Sequence, residues 1–199
     1  MASTIDICRL ALSRIGVRQP IDSLTEDTPE AQACNIHFSF ARQVALSSAP
    51  WTFATRRATL AQLVDVTRDG WGYAYAVPND LLVPRSIWDG LRVPMQGASI
   101  AFSVELNDAA DGRILLVDVA SPILIYTADI TTDGLFPPLF ADALAWLLAA
   151  ELSVTLSGKS DFRDQAMARY EFARLRAMAV MAGEFMEAQP ERELITARW

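Results

Sequence analysis

The sequence holds one histidine, His37, and two cysteines, Cys8 and Cys34, so nucleophilic or soft-metal chemistry would start from these three. A Ser-His-Asp or Cys-His engine would need His37 as its base. That residue falls inside a helical pattern between Ile36 and Phe38, where a histidine bonded to a neighbour is the simpler reading. The nearest approach to a nucleophile elbow, Gly97-Ala98-Ser99-Ile100-Ala101, lacks the closing glycine. Cys34 and His37 stand three apart, and Cys8 could join them from the preceding helix. Structural zinc wants four ligands, however, and the chain has no further Cys or His. Two thiols packed as small apolar groups account for the pair.

Carboxylates are abundant, with 24 Asp+Glu, so inventory alone leaves room for a glycosidase pair. Asp69, Asp89, Asp111 and Asp133 each precede a glycine, and turn chemistry explains an Asp-Gly step without catalysis. No phosphate-binding loop, dinucleotide fingerprint or calcium loop occurs. The expectation is a protein with no catalytic residue, no cofactor and no metal. Basic and aromatic residues interleave once, at Trp51-Thr52-Phe53-Ala54-Thr55-Arg56-Arg57. One reading is a contact for nucleic acid or an acidic partner; the other is a strand whose aromatics face the core while its arginines meet local acids.

The elements that would carry these residues follow from periodicity and punctuation. A first helix runs from Ser3 or Thr4 to about Ile15, with Ser3 as cap, Asp6 completing a capping box, and Gly16 as the left-handed stop. Its apolar stripe is Cys8, Ala11, Leu12 and Ile15. A second helix opens at Thr28-Pro29-Glu30, a cap followed by a pre-organised first turn and a charge favourable to the dipole. Ala31, Cys34, Phe38, Ala41 and Ala45 form one face, and Pro50 forbids continuation.

From Trp51 the period changes, and turn dipeptides recur up to Asp133-Gly134. Runs at 73–77, 85–88, 99–106, 113–119 and 123–130 read as short strands of an antiparallel β region. After Pro137-Pro138 an almost wholly apolar helix spans 139–156, closed by Ser157-Gly158. Asp142 and Glu151 interrupt it, so it reads as a helix buried in protein and not as a membrane span. A fourth helix starts at Ser160 or Asp161, with Met167, Tyr170, Ala173, Ala177, Met181 and Phe185 on one face and Arg163, Arg169, Arg174 and Arg176 directed outward.

The expected fold is α+β. Helix pairs in 1–50 and 136–185 form a four-helix layer, 51–135 is an inserted β-rich domain, and 186–199 is a C-terminal tail.

Composition limits what such a fold would do. A chain of 199 residues buries roughly 70% of its unfolded surface and holds a core without staples. A formal charge of −7 disfavours a protein that grips nucleic acid, because phosphate binding needs Lys and Arg to displace counterions. The absence of a basic region followed by an apolar run at the start points to folding in a reducing cytoplasm. With 52% hydrophobic residues and a mean hydropathy of +0.20, apolar surface is left over for partner subunits.

Several stretches in order carry a family resemblance. They are Cys8-Arg9-Leu10-Ala11-Leu12-Ser13-Arg14-Ile15-Gly16, residues 21–27, Ala33-Cys34-Asn35 with Arg42, and Trp51-Thr52-Phe53-Ala54 with Arg57 and Leu60-Ala61. Tyr73-Ala74-Tyr75, Pro78-Asn79-Asp80, Phe136-Pro137-Pro138-Leu139-Phe140 and Thr155-Leu156-Ser157-Gly158 follow. Over residues 5–180 this pattern resembles the tail tubular protein A family, the head-to-tail adaptors, or connectors, of short-tailed bacteriophages.

The resemblance implies a structural virion protein and not an enzyme. It implies a homo-oligomeric ring of about twelve copies, formed through heterologous faces, that contacts the phage portal protein and the tail nozzle protein in the neck of the virion. Genome DNA passes through the lumen without specific binding, no membrane is involved, and assembly takes place in the bacterial host cytoplasm. From the residues themselves, the candidate subunit or portal contacts are Arg163, Arg169, Arg174 and Arg176, which either meet an acidic neighbour in the ring or form a solvated helix face, together with Leu194, Ile195 and Trp199. The family-motif residues Trp51, Phe53, Arg57, Tyr73 and Pro78 are expected to be structural. Two readings from other classes are a virion-associated glycan hydrolase using paired carboxylates and a regulatory module whose aromatic β part binds a small ligand.

Overall fold

The computed structural model describes residues 2–17, 19–90, 100–109, 112–157 and 160–183. Within them, two helices, six strands and two further helices follow in chain order, an α+β arrangement. Helix α1 (Thr4–Arg14) begins with the predicted reciprocal cap: Asp6 N–H donates to Ser3 Oγ at 3.1 Å, and Ser3 N–H donates to Asp6 Oδ2 at 3.0 Å. Those bonds hold the Asp6 carboxyl below its ordinary range. Gly16 follows at φ +82°, a conformation that favours glycine.

Helix α2 (Pro29–Ser47) is capped by Thr28 Oγ1 and carries Pro at its first turn. The predicted face of Ala31, Cys34, Phe38, Ala41 and Ala45 is buried throughout. After a short 3-10 turn (Thr52–Ala54), strands β1 (Thr55–Thr59), β2 (Tyr73–Ala76), β3 (Leu81–Trp88), β4 (Phe102–Leu106), β5 (Arg113–Val117) and β6 (Ile123–Ala128) form two three-stranded sheets. Both are antiparallel, in the orders β1-β6-β3 and β2-β5-β4.

Strand β3 starts four residues before the predicted Arg85, because Pro84 sits on an edge strand. The pairing with β6 shifts register on both sides of Val83-Pro84, so the proline needs no ladder bond there. The two sheets share a core: Leu81, Ile87, Leu124 and Tyr126 from one meet Tyr75, Leu115 and Val117 from the other. Alternation along β5 turns Ile114 and Leu116 the other way, onto Ala74 and a cover of Leu63, Val66 and Trp71.

Helix α3 (Pro138–Leu152) continues as a single π turn (Ser153–Ser157), so the predicted single helix over 139–156 changes its hydrogen-bonding pattern at Ser153. Pro138–Leu156 is long and apolar enough to cross a membrane, but most of it is buried in the fold. Helix α3 packs against α1, α2 and α4 (Ser160–Ala182), and its many alanines allow close approach on several sides. Ion pairs bind these neighbours further. Arg14 on α1 pairs with Asp142 and lies 4.1 Å from the ring centre of Trp146, both on α3. Arg42 on α2 reaches Asp129 after β6 at 2.9 Å, largely out of water.

Candidate functional site

Trp51 and Phe53 meet two later aromatic residues where the chain passes from helices into strands and back. Trp51 is buried and donates its indole N–H to the Ala45 carbonyl at 2.8 Å, so the end of α2 fixes the ring. Phe140, on α3, meets Trp51 edge-on with centroids 5.1 Å apart and Phe53 at 4.8 Å. Phe136 closes the cluster at 5.2 Å from Phe140 and 6.2 Å from Phe53. Such edge-to-face pairs align the positive rim of one ring with the negative face of the next. Two segments more than eighty residues apart in sequence are thereby locked into one joint.

Around the joint, Arg56 pairs with Asp80 at 2.7 Å, and Asp80 also accepts from the Tyr126 hydroxyl at 2.9 Å. Burial, then the Asp80 contact, pushes the Tyr126 phenol up. Arg57 is exposed and lies 6.0 Å from the ring centre of Trp88. Both arginines of the basic-aromatic run thus meet groups of their own chain. Tyr73 is half-buried beside Tyr75, and Pro78 opens the turn closed by Leu81 N–H at 3.1 Å.

The arginines of α4 separate into two kinds. Arg163, Arg169 and Arg176 are exposed, and Arg163 stands 3.9 Å from Glu151. Arg174, expected outward with them, is instead folded down. Its position borders the buried Ala173 and Ala177, so its side chain bonds Glu171 at 2.7 Å and the Ser48 carbonyl at 3.5 Å. Leu194, Ile195, Trp199 and Phe185 lie outside the described residues.

His37 sits half-exposed on α2, with Nε2 3.4 Å from Thr155 Oγ1. Cys8 and Cys34 are both buried, and the hydrogen bond between them together with burial pushes the Cys8 thiol well above the ordinary range. Among the described residues no group of three or more His, Cys, Asp and Glu is placed to hold a metal. Two cavities of about 630 and 170 Å³ flank the aromatic joint, lined by residues such as Phe53, Pro137, Met178 and Met181, with no titratable side chain among the described residues that line them.

What the sequence reading passed over is the second face of two helices. Ile36, Phe40 and Val44 on α2, and Phe172, Leu175 and Val180 on α4, are exposed. The signal was present: Ile36, Phe40 and Val44 at four-residue spacing, and Phe172 with Leu175 at three, lie away from the buried stripes of their helices. No family model matches this chain, and no curated protein matches it.

Proposed function

We propose that the chain is a structural virion protein, a head-to-tail adaptor of a short-tailed bacteriophage. About twelve copies form a ring between portal and tail nozzle, each using unlike faces toward its two neighbours. In this reading the terminal helix pairs make one four-helix layer organised on α3, and 51–135 is the inserted β-rich part. The carrying observation is the aromatic joint. Trp51 and Phe53, two of the five family-motif residues, meet Phe136 and Phe140 from the later stretch of the resemblance in one cluster, which gives these two separated pieces a common structural purpose.

Two further features support it. Large apolar side chains stand exposed on α2 and α4, as subunits of an assembly require. The net charge of −7 per copy suits a channel wall that repels DNA and lets it slide. The neck of the virion, after assembly in the host cytoplasm, is the corresponding location.

Incubating the purified chain with the portal of the same virus tests the reading. Co-sedimentation of a ring with the portal is expected. A chain that never associates with portal or particle contradicts it.

A further inference from the structure

Two apolar strips lie uncovered on the helices. On α2, Ile36, Phe40 and Val44 are 71%, 62% and 37% exposed; spaced every fourth residue, they form one ridge about 12 Å long. On α4, Phe172 and Leu175, three residues apart, are 68% and 57% exposed and form a shorter strip. Each strip backs onto a stripe already buried in the core, so the helix cannot rotate to hide it.

We propose that the α4 strip of one copy packs onto the α2 strip of the next. The pairing rests on the ring reading above and names its faces. Charge selects it. The α4 strip is flanked by Arg169 and Arg176, both exposed and neither within 4.0 Å of a carboxylate among the described residues, whereas its bordering acid, Glu171, is already paired with Arg174. Packing α4 on α4 about a two-fold axis would crowd four such guanidinium groups as water leaves, a repulsive arrangement.

The α2 strip is bordered by Gln32, Asn35, Ser39 and Gln43 on one side and by half-exposed His37 on the other, and acidic Asp27 and Glu30 lie at its N-terminal end. It therefore accepts an apolar strip bearing positive charge. Packing α2 on α2 would leave α4 uncovered, whereas a single α4-on-α2 contact covers both strips. Because the two faces differ, the contact repeats from copy to copy and closes into a ring when the rotation allows.

The test uses two variants of the full chain, Phe172→Asp with Leu175→Asp, and Ile36→Asp with Phe40→Asp, each checked for native circular dichroism. Both pairs substitute exposed positions, so the fold is expected to survive. In sedimentation at rising concentration the wild-type chain is expected to exceed the monomer, and each variant alone to remain monomeric. Mixed, the variants should form a one-to-one dimer and nothing larger, since each retains the strip that the other lacks. Assembly by either variant alone, no dimer in the mixture, or a wild-type chain monomeric at every concentration overturns the pairing. The symmetry of the intact particle decides the ring reading separately, so a ring seen there with a failed mixing experiment leaves that reading standing.

Discussion

Arg85 on β3 donates a hydrogen bond to the carbonyl of Ala49 at 2.8 Å, beyond the last turn of α2. The same guanidinium donates to Thr127 Oγ1 at 2.9 Å, and Thr127 is fully buried. Burial holds its pKa below the ordinary arginine value, and among the described residues it bonds neutral oxygens: two carbonyls at the negative end of α2 and a hydroxyl. Arg85→Met should cost about 1.5–3 kcal/mol, because it removes a charged donor from part-buried bonds, although the Ala49 carbonyl keeps the Trp51 N–H at 3.0 Å. Arg85→Lys should recover only part of this, since an ammonium cannot span the fork. Urea midpoints of the three proteins check both statements.

Trp51 gives a graded series at the joint. Trp51→Phe keeps a ring against Phe140 but loses the indole bond to the Ala45 carbonyl, which still accepts from Ser48 Oγ at 2.7 Å, and should cost about 0.5–1.5 kcal/mol. Trp51→Ala also opens a cavity and should cost about 3–5 kcal/mol. Thermal unfolding should therefore order wild type, Phe and Ala from most to least stable. Equal midpoints for Phe and Ala would mean that the ring itself contributes nothing.

Tyrosine chemistry sets the alkaline limit. The Tyr170 hydroxyl is buried and makes no hydrogen bond of normal geometry among the described residues; burial pushes its phenol up against an opposing effect of nearby Ser48, as burial and then Asp80 do for Tyr126. For an acid whose folded pKa lies above its unfolded value of 10.0, the stabilising contribution is complete below pH 10. It disappears as pH rises through the folded value. Stability should accordingly fall above pH 10, and Tyr126→Phe should flatten that fall. At neutral pH, Tyr170→Phe should be neutral or stabilising, because it removes an unsatisfied buried hydroxyl. Urea titrations at pH 8 and pH 11 on the three proteins read these effects.

Caps and stripes were legible in the sequence because they are local. Ser3 with Asp6, Thr28 with Pro29, and the Ala31-to-Ala45 face each depend on neighbours a few residues away. Pro84 misled the reading of β3 because a bulge on an edge strand, invisible without its partner, makes the proline harmless. Arg85, Arg42 with Asp129, and the folded position of Arg174 depend on chain segments 36 to 126 residues apart, and no periodicity encodes such distances. The exposed strips were legible in principle. Ile36, Phe40 and Val44 repeat as regularly as the core face, but one amphipathic stripe per helix satisfies the usual pattern, and the second passes as scatter.

Electron microscopy of the particle that contains this chain, with its rotational symmetry counted, tests the central claim most directly. A closed ring of about twelve copies between portal and nozzle is the expected image, with α2 of each subunit facing α4 of the next and an acidic inner wall. A chain found outside the neck, present as a monomer, or lining its channel with arginine would contradict it.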